Sequence, residues 1–74
     1  MSTLASWQAE STEAWLSLTQ GQRDECVIAV CRTSDNAKRW ELAGKAMRDG
    51  GIKAGDVKPG HRQALLAWIT GGAR

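Results

Sequence analysis

The chain reads as an all-α protein, a compact bundle of about four short helices. Three observations predict this class. Apolar residues recur at spacings of three and four, capping residues punctuate the chain, and the one β-rich run, residues 26–31, has no second strand to pair with, so that a strand there, the rival reading to a helix, would have to pair across a dimer. The 74 residues make one small helical domain spanning 1–74. A domain of this size has a thin stability margin and often gains from disulfides, metals or oligomerisation.

The first helix is capped by Ser2 or Thr3 and runs to about Leu18. Leu4, Trp7, Ser11, Ala14 and Leu18 form its stripe, with Trp15 beside it and Gln8, Glu10 and Glu13 on the polar face. Thr19 followed three residues later by Gln22 matches a capping box, so a second helix spans residues 20–32. It presents Cys26, Val27, Val30 and Cys31 on one side, with Ile28 and Ala29 adjoining. Thr33, Ser34, Asp35 and Asn36 form a turn and cap. The third helix covers residues 36–48, with Ala37, Trp40, Ala43, Gly44 and Met47 inward and Glu41 paired to Lys45 outside. Ala43, Gly44 and Ala46 are small enough for a close helix approach. Gly50 and Gly51 end the helix, and Ile52 supplies the apolar contact of a glycine C-cap. Residues 52–58 are a loop or a single helical turn. Pro59 opens the last helix, residues 59–70, because its fixed φ suits a first helical position. Ala64, Leu65, Trp68 and Ile69 form its stripe, with His61 one turn earlier. Short connections favour antiparallel neighbours.

No motif names a reaction, and the chain is expected not to be an enzyme. His61, the only histidine, has no nucleophile or orienting group nearby in sequence. Cys26 on a helix face reads as a small apolar residue. Cys26 and Cys31 lack zinc-site spacing, so no metal and no cofactor is expected. On one helix their Cα atoms lie roughly 8 Å apart, beyond disulfide reach. Reduced thiols and the absence of a signal-like or membrane-spanning segment predict a cytoplasmic protein without membrane partners. The glycines at 50, 51 and 55 lack the order of a phosphate-binding loop.

All four aromatic residues are tryptophans: Trp7, Trp15, Trp40 and Trp68. A tryptophan fills a small core or anchors an interface. Core is the expectation for Trp15, Trp40 and Trp68. The edge formed by Leu4, Trp7, Ser11 and Trp15 is the candidate surface for a protein partner, with Trp7 its anchor. The first functional reading is therefore a small interaction module that docks on a larger protein as a regulator or inhibitor.

Charge supports an alternative. Glu10, Glu13, Asp24, Glu25 and Asp35 outnumber Arg23 and Arg32 in residues 1–37. Bases outnumber Glu41, Asp49 and Asp56 in residues 38–74. Residues 43–69 read as helix, glycine turn, loop and basic helix, which suggests a helix-turn-helix-like DNA-binding unit. Lys45, Arg48, Lys53, Lys58, Arg62 and Gln63 are its candidate nucleic-acid contacts. The connection is longer than such a turn normally has. A homodimer is the remaining stabilising device.

Overall fold

A computed structural model describes the backbone of residues 3–71 and the side chains of residues 6–71. Four helices form, and no strand occurs among the described residues. They are α1 (Thr3–Leu16), α2 (Gln20–Arg32), α3 (Asn36–Asp49) and α4 (Pro59–Thr70), with a 3₁₀ turn at Ala54–Asp56 between the last two. The β-rich run at 26–31 is helical, inside α2.

Local chemistry sets the boundaries. α1 stops at Leu16, short of the expected Leu18, because its last turn tightens. The Ser17 N–H is shared between the Glu13 and Ala14 carbonyls, and the Leu18 N–H goes to the Trp15 carbonyl at 3.1 Å. The Thr19 capping box forms in both directions. Thr19 Oγ1 accepts from the Gln22 N–H at 3.1 Å, and the Thr19 N–H donates to Gln22 Oε1 at 2.9 Å. Asp35 caps α3, its Oδ1 accepting from the Ala37 N–H at 2.9 Å. Beyond α3, Gly51 takes a φ of 109°, where a side chain would be strained. That turn lets the Ile52 N–H reach the Met47 carbonyl at 3.1 Å and folds Ile52 against the core.

Val30, Met47 and Leu65 are the largest fully buried side chains, one from each of α2, α3 and α4. Ala14, Trp15 and Leu18 close the core from the α1 side, and Ala43, Ala46 and Ile69 complete it. α3 touches all three other helices, and the most extensive contact joins α1 to α4. The small residues of α3 allow this, since Ala43, Gly44 and Ala46 are all buried.

Several expectations change. α1 and α4, which no short connection joins, run in the same direction. Trp7 lies on Gly60 and His61, and Trp15 meets Trp68 further along both helices. α2 packs mainly on α3, so Cys26, Val27 and Val30 turn inward while Cys31 and Ile28 face out. Ala37 is also exposed, in the first turn of α3. Lys45 stands between two carboxylates on one face and pairs with Asp49, at 3.1 Å, rather than with Glu41. Trp15 is buried as expected, whereas Trp40 and Trp68 are half-buried.

Candidate nucleic-acid interface

The exposed cations of α3 lie on one stripe. Lys38, Lys45 and Arg48 fall at positions i, i+7 and i+10, with Glu41 at i+3, a spacing that keeps all four on one helix face. The stripe forms one wall of an open groove. Arg32, at the end of α2, and the turn residues Thr33 and Ser34 form the other wall. Ala29 and Leu42 line the groove between them, and Arg62 of α4 reaches it from the side. Five cations and one carboxylate thus line a single concavity.

A three-residue connection holds the walls together. Thr33, Ser34 and Asp35 join α2 to α3. Thr33 Oγ1 accepts from the Asp35 N–H at 3.2 Å, and Arg39 Nε donates to the Thr33 carbonyl at 2.8 Å. α2 and α3 are therefore a helix pair with a short turn, as are α1 and α2, which residues 17–19 join. The pair predicted over residues 43–69 is instead joined by residues 50–58, which contain the 3₁₀ turn, too long for a helix-turn-helix connection.

The sequence candidates divide accordingly. Lys45, Arg48 and Arg62 line the groove. Arg62 is committed to the protein: its Nη1 donates to the Trp40 carbonyl at 2.9 Å, and its guanidinium lies 5.7 Å from the centre of the Trp40 ring. Gly44 makes room for it, because a methyl group there would meet the guanidinium carbon at 2.6 Å. Arg62 therefore adds charge to the groove but not a free fork for base edges. Lys53 is exposed beside the 3₁₀ turn, and Gln63 is exposed on α4, both outside the groove lining. Lys58 sits on another side of the molecule, in a cleft with Glu10, Glu13 and Asp56. Arg32 and Lys38 are the members that sequence reasoning missed. The spacing of Lys38 to Lys45 and Arg48 carried the signal; Arg32 joins only through the α2–α3 turn.

The proposed protein-docking edge is largely used inside the fold. Ser11 is 3% exposed and donates from Oγ to the His61 carbonyl at 3.0 Å. Trp15 is 6% exposed and makes an edge contact with Trp68, centroids 5.7 Å apart. Burial in the α1–α4 contact removes both from the surface. Leu4 lies outside the described side chains. Of the three described, Trp7 alone stays half-exposed, edge-on to the His61 ring at 4.7 Å.

The His61 ring is held between the start of α4 and α1. Its Nδ1 accepts from the Lys58 N–H at 3.0 Å, which leaves the ring hydrogen on Nε2, facing Glu10 Oε1 at 3.4 Å. Ser11 gives its hydrogen to the backbone, not to this ring, so Ser11, His61 and Glu10 do not form a proton relay. Cys26 and Cys31 are both free thiols. Burial beside α3 pushes the Cys26 thiol above its ordinary value, with Lys45 opposing and Asp49 reinforcing the shift. Among the described residues no three His, Cys, Asp or Glu side chains converge to hold a metal, and no helix is long and apolar enough to cross a membrane. Comparison with protein-family models, with curated proteins and with solved structures gave no match.

Proposed function

We propose that the protein binds nucleic acid, with α3 and the end of α2 gripping the phosphate backbone. One observation carries the reading: Lys38, Lys45 and Arg48 recur along one face of α3, opposite Arg32, with Glu41 the only acid among the described residues of the groove. From Lys38 to Arg48 the stripe is roughly 15 Å long, about the rise of four nucleotides on one strand of a duplex. Lysine and arginine on such a stripe displace condensed counterions, which makes binding steeply salt-dependent. The hydroxyls of Thr33 and Ser34 at the groove edge are further donors suited to phosphate oxygens.

The test is binding to a labelled random-sequence DNA duplex across a salt series. Lys38→Ala, Lys45→Ala and Arg48→Ala each weaken binding and lower the salt slope by about one. Lys53→Ala, outside the groove, leaves the slope unchanged. No binding at low salt, or equal slopes for the groove and control variants, rules the reading out.

A second reading, a protein–protein contact, is favoured by a different observation. Leu16 and Ile28 are 61% and 51% exposed and line one apolar groove.

A further inference from the structure

The apolar groove between the end of α1 and the middle of α2 has a neutral, self-complementary rim. Leu16, Val27, Ile28 and the exposed part of Trp68 form its apolar lining. Single exposed apolar residues are ordinary on a small protein, but a leucine, an isoleucine and an indole on one concavity form a patch. Arg23 and Asp24 stand on its α2 side. They form no salt bridge with each other. Neither forms a salt bridge with any other described residue. Gln20 occupies part of each, accepting from Arg23 Nη2 at 3.3 Å and donating to Asp24 Oδ1 at 2.9 Å.

We infer that this face is the contact between two copies of the chain, related by a two-fold axis. A two-fold contact sets the same patch against itself, so every charge on the rim must meet its opposite within that patch. Arg23 and Asp24 meet this condition. The axis carries Arg23 of each copy to Asp24 of the other, and two cross-pairs flank the apolar centre. A strongly acidic or basic partner would leave one of the two charges facing its like. The groove that holds Arg32, Lys38, Lys45 and Arg48 shares no lining residue with this face.

Sedimentation equilibrium of the full chain over a dilution series tests the contact. The expected mass at high concentration is twice the 8.0 kDa of one chain, falling to the single-chain mass on dilution. Leu16→Asp and Ile28→Asp alter exposed positions, keep the helical circular dichroism, and weaken association by about tenfold or more. Arg23→Asp and Asp24→Arg each weaken self-association, because each sets like charges face to face across the axis. An equimolar mixture of those two variants regains it, since each variant carries what the other lacks. A monomer at every concentration overturns the inference and leaves the face to a different protein. So does association unchanged by Leu16→Asp or Ile28→Asp, or a mixture no more associated than its components.

Discussion

Position 61 closes a helix that its own capping residue cannot. Lys58 precedes α4 but has no side-chain acceptor, so the His61 Nδ1 takes the Lys58 N–H instead. The same ring supports Trp7, and its backbone carbonyl holds Ser11. His61→Ala removes the acceptor and opens space under Trp7, and should destabilise the fold by about 2 kcal/mol. His61→Gln keeps an acceptor at the third helical position and should recover part of that loss. Urea midpoints of the three proteins decide it: equal midpoints for the Ala and Gln variants would assign the effect to ring packing alone. The sequence shows His61 on the apolar side of α4 but not its role, because both Trp7 and Ser11 lie some 50 residues away. Arg62 is illegible for the same reason. Its spacing suggests a free cation, and only the fold reveals that Gly44 and Trp40 receive it.

Elements proved more readable than residues, because their signals are local. The Thr19 box, Asp35, the glycines at 50 and 51, and Pro59 each act within a few residues of a helix end. They placed α2 and α4 at the boundaries the structure has. Thr19→Ala removes one half of the box and should cost about 1 kcal/mol by thermal or urea unfolding, with no change in helix count. A loss below a few tenths would show that α2 is held by its packing on α3 alone. The α3 stripe was half-read for a related reason. Lys45 and Arg48 stood out, but Lys38 lies a full two turns from Lys45, and Arg32 belongs to another helix in an otherwise acidic half. Direction of packing was not readable at all. Nothing in the 50–58 connection specifies that α4 returns parallel to α1, a result fixed by Trp7, Trp15, Gly60 and Trp68 meeting across the fold.

For the molecule as a whole, stability carries a pH dependence that starts at Cys26. Burial raises its thiol in the folded state, so the folded protein keeps that proton after the unfolded chain has lost it. The contribution is fully present below the ordinary thiol value of 9.0 and is lost as pH climbs past it. Unfolding followed from neutral to alkaline pH should show a fall that Cys26→Ala reduces. An identical fall in both proteins would assign it to other groups. The union of α1 with α4 has a consequence for how the chain comes into being. Leu65 and Ile69, which finish the core, are made after the three helices they cover. During synthesis at about 5–20 residues per second, the tryptophan and alanine faces of α1 and α3 wait uncovered for several seconds until the last helix is made. Whatever chain carries this domain, its birth exposes the surfaces that its finished form hides, and a chaperone has its opportunity in that interval.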